Sequence, residues 1–416
     1  MDTEQPQRVA IEHTDDGFRL SREGQPYLIK GARTLGSKYM DRVAARGGNA
    51  VRIGFPDDMS AVLDRAYENN LSVLVGLPVT PERDGFDYDD TAAVAEQHER
   101  LLQLVRRYRD HPAILMWAIG NELDHIPDES PYNPAVWDAV NELAAAIHDL
   151  DPNHLTMTVV GTGNRPKLEA LVSRCPDVDV LGINSYGDID EIPDWVRAYN
   201  WDGPYAVTEW GPTGHWQQPK TRWGVTIEET STEKANCYRE RYESVIAVDP
   251  WCVGSYAFLW TSDRQEHTFT WYNMYCDGRP TGAVDAMEYC WTGHWPDNRC
   301  PEIHSVEIEG SDAYDDIELD AQTTRSATVD ATDPDGDPID AKWELYPELE
   351  EFADYAGHGE SKPDPVPDAI IEANENDLSC RVSVPNEPGR DYRLYVFVTD
   401  AAENMAVANL PFHVAE

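Results

Sequence analysis

A chain of 416 residues with 77 Asp and Glu against 33 Lys and Arg carries a formal charge of -44, which excludes nucleic acid and anionic membranes as partners. An apolar fraction of 41% is ample for buried cores and the length suggests two domains, yet no stretch nears the ~18 uninterrupted apolar residues of a membrane span. The acidic excess runs along the whole length and only seven basic residues are Lys, so a salt-adapted, halophilic protein is expected, in which concentrated salt screens self-repulsion.

The N-terminal Met-Asp-Thr-Glu-Gln-Pro has neither a basic nor an apolar region, so the chain as written carries no signal peptide. A cytoplasmic location is the expectation, with secretion by some other signal as the alternative. Seven cysteines, at 175, 237, 252, 276, 290, 300 and 380, form no Cys-x-x-Cys pair. Free buried thiols are expected, and a Cys290 to Cys300 bridge is the alternative.

In chain order, a short hairpin-like lead (8–11, 18–20, 27–29) precedes eight strand patterns: 28–32, 50–53, 72–77, 114–119, 155–160, 180–184, 205–208 and 254–260. Helical stripes lie between them, with Val94, His98, Leu101, Leu102, Val105 and Tyr108 on one and Val136, Val140, Leu143, Ala144, Ile147 and Leu150 on another. Strands alternating with amphipathic helices are parallel, and eight such units close into an α/β (β/α)8 TIM barrel over residues 1–300. Near Cys300-Pro301 the pattern changes to short alternating runs (303–308, 326–331, 339–346, 378–384, 392–398, 405–414) separated by turn clusters such as Asp333-Pro-Asp-Gly-Asp-Pro338. About seven strands without a helical stripe read as a small immunoglobulin-like β-sandwich over 301–416, with 360–368 as a loop inside it. An accessory or spacer role is expected for it.

Two strand patterns end on a carboxylic acid: Ala113-Ile-Leu-Met-Trp-Ala-Ile-Gly-Asn121-Glu122 on the fourth, and Tyr205-Ala-Val-Thr-Glu209-Trp-Gly on the seventh. Residues at the C-terminal ends of barrel strands converge on one face. Two carboxyls there suit glycosidic-bond hydrolysis, in which one protonates the leaving oxygen and the other attacks the anomeric carbon or activates water.

These paired signatures resemble those of glycoside hydrolase clan A, the retaining (β/α)8 glycosidases, and most closely the barrel domain of family 2, over residues 8–295. The resemblance implies Glu122 as general acid/base and Glu209 as nucleophile. It further implies Arg52 beside the nucleophile, Tyr186 hydrogen-bonded to it, Asn121 on the sugar 2-hydroxyl and Trp260 as the aromatic floor of the subsite. Asn184, in Gly182-Ile-Asn184-Ser-Tyr186, joins the substrate-binding candidates. The third strand departs from the family pattern, ending Val75-Gly-Leu-Pro78 where many members place a histidine.

Ten of the thirteen tryptophans lie between Trp195 and Trp295, a density of flat apolar rings that suits stacking on pyranose faces. His215 and Trp216, shortly after the nucleophile, are therefore substrate-binding candidates, and His267 and His294 weaker ones. No ligand cluster of metal-binding spacing is evident, and Lys30 is the only lysine on a predicted barrel strand, which disfavours Schiff-base chemistry. No cofactor is expected. Asp333, Asp335 and Asp337 resemble the calcium turns of cadherin-like modules, although an acidic turn in an acidic protein needs no ion. The expected function is a retaining O-glycoside hydrolase acting on β-linked oligo- or polysaccharides. Alternatives are a transglycosidase, a catalytically idle carbohydrate-binding or scaffold protein on the same fold, and a metal-dependent barrel hydrolase. Nothing in the residues sets sugar identity, linkage, endo or exo action, or oligomeric state.

Overall fold

A computed structural model describes residues 8–125, 132–162, 165–265, 267–349, 362–374 and 378–416. Of the expected loop at 360–368, residues 360 and 361 lie outside them. Eight parallel strands close into a barrel in chain order: β1 (Ile29–Arg33), β2 (Ala50–Ile53), β3 (Ser72–Leu77), β4 (Ile114–Ile119), β5 (Leu155–Gly161), β6 (Val180–Asn184), β7 (Tyr205–Trp210) and β8 (Cys252–Ala257). The unbroken apolar runs are explained by burial on both faces: every residue of β2, β4, β6 and β8 is buried.

The interior is packed rather than hollow. Ile29, Leu74, Ala118, Met157, Val159, Val180, Ala206 and Tyr256 share one core cluster. Gly31 of β1 has to lack a side chain, because a Cβ there would lie 2.4 Å from the ring of Tyr256. Outside the barrel, the helix Thr91–Tyr108 starts on Asp90, whose carboxylate accepts the amides of Ala92 and Ala93. Of the expected stripe it buries Val94, Leu101, Val105 and Tyr108, while His98 and Leu102 are half-buried. The lead strands Val9–His13 and Phe18–Arg22 pair antiparallel, and Val9 and Phe18 donate their amides to Asn153 and Pro250 just before β5 and β8. The lead therefore covers the N-terminal face and leaves the C-terminal strand ends for chemistry.

Beyond the barrel two four-stranded sheets form the expected sandwich. One pairs Glu302–Ile308, Thr324–Thr332, Ser379–Ser383 and Ile370–Asn374. The other pairs Glu318–Leu319, Met405–Val414, Asp391–Asp400 and Ile339–Pro347. Ile303, Val306, Val329 and Val382 of the first face Trp343, Leu345, Leu394, Val396, Ala408 and Phe412 of the second in a single core. The strands Glu318–Leu319 and Ile370–Asn374 have no counterpart in the sequence reading. Two residues show no alternation, and the other is a short edge strand.

The compact units run otherwise than the change of pattern at Cys300. One consists of Met1–Trp210 with Arg241–Trp260, and the second of Gly211–Glu240 with Thr261–Glu416. The segments following β7 and β8 thus fold with the sandwich. An aromatic cluster supplies a cause, joining Phe269 and Cys276 to Tyr346, Tyr395, Phe397, Met405 and Val407. All seven cysteines are free. Among the described residues no helix is long and apolar enough to cross a membrane.

Candidate active site

Glu122 stands in a tight turn just past β4. Gly120 and Glu122 take left-handed backbone conformations (φ 75° and 48°), the amide of Glu122 donates to Val159 O on β5 at 2.8 Å, and His125 N returns to Glu122 O at 3.0 Å. A left-handed conformation at a non-glycine residue costs ~1 kcal/mol or more and persists only where its surroundings enforce it. The turn aims the Glu122 carboxyl toward β5 and β6. Asn184 Nδ2 donates to Glu122 Oε1 at 2.7 Å, and a Cβ on Gly161 would sit 3.4 Å from the same oxygen.

Glu209, on β7, meets the other charge. Arg52, from β2, donates Nη1 to Glu209 Oε1 at 2.7 Å and to Thr208 O at 3.0 Å, while its Nη2 donates to Asn121 Oδ1 at 2.6 Å. Asn184 closes the circuit, donating Nδ2 to Asn121 Oδ1 at 3.1 Å and accepting at Oδ1 from Thr208 Oγ1 at 2.8 Å. Five expected residues, Arg52, Asn121, Glu122, Asn184 and Glu209, are thereby linked from the ends of four strands that span 157 residues of chain.

The two acids sit in unlike surroundings. Burial, and next the negative charge of Glu209, push the Glu122 carboxyl up to about 7, with Asp124 adding to the rise and the Asn184 donation and Arg52 opposing it. Arg52 pairs directly with Glu209, not with Glu122. One carboxyl therefore keeps its proton near neutrality while a guanidinium lies against the other, which is the asymmetry an acid and a nucleophile require.

Other candidates fall differently. Tyr186 is buried and packs edge-on against Phe258, with ring centroids 6.2 Å apart. Trp260, expected to end β8, lies three residues past it, beyond the cis peptide bond between Phe258 and Leu259. Its amide donates to Arg33 O at 2.9 Å, and its side chain is 0% exposed, so it offers a sugar no solvent-facing surface in this structure. His215 and Trp216 belong to the second compact unit. There His215 stacks on His267 at 4.4 Å and approaches the Tyr272 hydroxyl at 3.4 Å, while Trp216 is exposed.

Three members of the site went unnoticed in the sequence. Thr208 orients Asn184, Asp124 adds negative charge near Glu122, and Arg83 donates to the Glu122 carbonyl. Thr208 stands next to Glu209 and could have been suspected from that alone. Arg83, on the short helix after β3, has no pattern to betray it. Among the described residues no group of three or more His, Cys, Asp or Glu is arranged to hold a metal. In the Asp333 turn one oxygen of each carboxylate accepts N–H donors: Asp333 Oδ1 accepts from the amides of Asp335 and Asp337, Asp335 Oδ2 from Arg299 N, and Asp337 Oδ2 from Asn298 Nδ2, while the buried Asp333 Oδ2 has no hydrogen-bond partner among the described residues.

Residues 79–213, which hold Asn121, Glu122, Asn184 and Glu209, match the family described as glycosyl hydrolases family 2, TIM barrel domain. A β-glucuronidase of Paenibacillus borealis is 24% identical over 190 residues, 41% of this chain and 30% of that protein. Among solved structures, β-glucuronidase 2 of Bacteroides uniformis, covalently bound to cyclophellitol-6-carboxylate aziridine, aligns with a TM-score of 0.54 at 16% identity. That alignment covers 98% of this chain and 48% of that one. The β-glucuronidase of Parabacteroides merdae aligns with a TM-score of 0.51 at 14% identity, covering 98% and 51%. The chain thus spans about half of the length of these relatives or less, and the structural likeness is one of fold. The strand ends that carry the acid pair lie inside the matched segment, and this barrel is accordingly similar to the TIM barrel of family 2 glycoside hydrolases.

Proposed function

We propose that the protein is a retaining O-glycoside hydrolase of β-linked carbohydrates, with Glu209 as nucleophile and Glu122 as general acid/base. The observation that carries this reading is the unequal treatment of the two acids: Arg52 lies 2.7 Å from Glu209, whereas burial and the charge of Glu209 keep the Glu122 proton on. Glu209 attacks the anomeric carbon as Glu122 gives its proton to the departing oxygen. The deprotonated Glu122 then takes a proton from water, whose oxygen displaces Glu209 and frees the sugar with its original configuration. Arg52 holds the nucleophile, Asn184 holds the acid, and Asn121, fixed by both, meets the sugar 2-hydroxyl.

The β-glucuronidase relatives make β-linked uronic acids a substrate class to test beside neutral sugars. The test is hydrolysis of aryl β-glycosides followed by proton NMR of the first product. The β-anomer is expected, with the two carboxyls about 5 to 5.5 Å apart in a crystal structure. A first-formed α-anomer would reject the nucleophile assignment.

A further inference from the structure

Within the second compact unit a single carboxylate gathers four hydrogen bonds, one from the helix that follows it and three from chain segments remote in sequence. Glu228 Oε1 accepts from Lys234 Nζ at 2.5 Å and from Thr270 Oγ1 at 2.7 Å, and its Oε2 accepts from Thr268 Oγ1 at 2.8 Å and from Asn409 Nδ2 at 2.7 Å. Lys234 lies on the helix Ser231–Arg241, Thr268 and Thr270 on the segment after β8, and Asn409 on the last sandwich strand. Arg393, on the neighbouring strand, extends the cluster by donating to Asn409 Oδ1 at 2.8 Å and to Thr226 O at 2.6 Å, and by pairing with Glu348. Glu228, Lys234, Thr268, Thr270, Arg393 and Asn409 are all buried.

A buried carboxylate is costly unless each oxygen is satisfied, and removing one partner from such a cluster leaves the others charged and dry. Here the donors are supplied by three separate stretches of chain, so the carboxylate is satisfied only when all three are in place. Burial pushes its proton affinity up, but the charges of Lys234 and Arg393 outweigh that and hold it ionised. Packing alone gives weaker registration, because aromatic contacts such as Phe269 on Tyr395 at 4.7 Å tolerate sliding that a four-donor carboxylate does not.

We infer that Glu228 is a positioning residue: its buried carboxylate locks the segments that follow Glu209 and Trp260 to the sandwich as one body, which makes the sandwich an integral part of the enzyme. One of these segments begins two residues after Glu209 and the other directly after Trp260. They also carry His215, Trp216, His267 and Trp271, and Trp271 Nε1 donates to Thr213 O at 3.0 Å between them. The sandwich therefore sets the course of both segments. The kinetic consequence rests on the glycosidase reading, whereas the structural one does not.

The test compares the full chain with Glu228→Ala, Glu228→Gln and the milder Asn409→Ala, by hydrogen–deuterium exchange and by kinetics on a small and an extended β-glycoside. In Glu228→Ala, exchange should rise by about tenfold or more in peptides from 211–230 and from 262–281, while peptides covering β4 and β6 stay unchanged. Asn409→Ala should loosen the same two peptides to a smaller degree, and Glu228→Gln should fall between wild type and Glu228→Ala. For the extended substrate KM should rise several-fold more than for the small one, a split that general destabilisation does not produce. Loosening confined to 226–234, or an Asn409→Ala effect confined to its own strand, would overturn the inference. An inactive wild-type chain would remove the glycosidase reading and leave the exchange comparison to decide the lock.

Discussion

The partly buried carboxyl of Glu122 should make the barrel less stable as pH rises, and Glu122→Gln should cancel that loss. With the group raised from 4.5 to about 7, the native state holds a proton that the unfolded chain has already released between those values. Stability from this group is therefore fully present below about pH 4.5 and is lost as pH rises through about 7. At about 1.4 kcal/mol per pH unit the full shift corresponds to ~3 kcal/mol. Solvent reaching the partly buried residue screens a share, so ~2 kcal/mol is the working figure. Urea unfolding of wild type and Glu122→Gln at pH 5 and pH 8 measures it: the variant should gain about 2 kcal/mol on wild type between the two pH values. The same proton should produce a fall of kcat/KM above about pH 7 for substrates with poor leaving groups. Removing the Asn184 donation with Asn184→Ala should move that limb to higher pH, because the bond stabilises the ionised form. Equal urea stability differences at pH 5 and pH 8, with a limb that stays in place in Asn184→Ala, would refute the reasoning.

The division of labour between the acids predicts that Glu209→Gly loses turnover yet recovers partly with azide, releasing a glycosyl azide of inverted configuration detectable by NMR. Glu122→Ala should spare substrates whose leaving groups need no protonation, and equal losses on activated and unactivated substrates would reject its role as acid. Arg52→Met leaves Glu209 without its 2.7 Å partner and should depress kcat by about two orders of magnitude, more than any effect on KM; steady-state kinetics on one aryl glycoside decides this. The charge of -44 predicts a melting temperature that climbs from dilute buffer to molar salt, as the Debye length shrinks from about 10 Å at 0.1 M to about 3 Å at 1 M. A melting temperature indifferent to salt would leave the acidic surface without that explanation.

Much of this protein was decided locally and could be read from the chain. Apolar runs bounded by helical stripes mark all eight barrel strands, because a parallel strand is buried on both faces and its helices on one. The acids at the ends of the fourth and seventh runs were visible for the same reason: a charged residue closing a buried strand is rare unless chemistry uses it. Alternation also disclosed most of the sandwich. What the tertiary structure alone decided are relations between residues far apart in sequence. The link from Arg52 to Glu209 crosses 157 positions and that from Glu228 to Asn409 crosses 181, and neither leaves a periodic trace in either segment. Trp260 looked like the end of a strand because its neighbours are apolar, yet β8 stops at Ala257 and the ring is buried beyond it. The segments at 211–240 and 261–300 were expected within the barrel domain because they follow barrel strands, yet they fold with the sandwich. Local pattern records which face of an element is dry, whereas the partner that dries it is chosen by long-range packing and by the need of buried charges for donors, which no window of sequence contains.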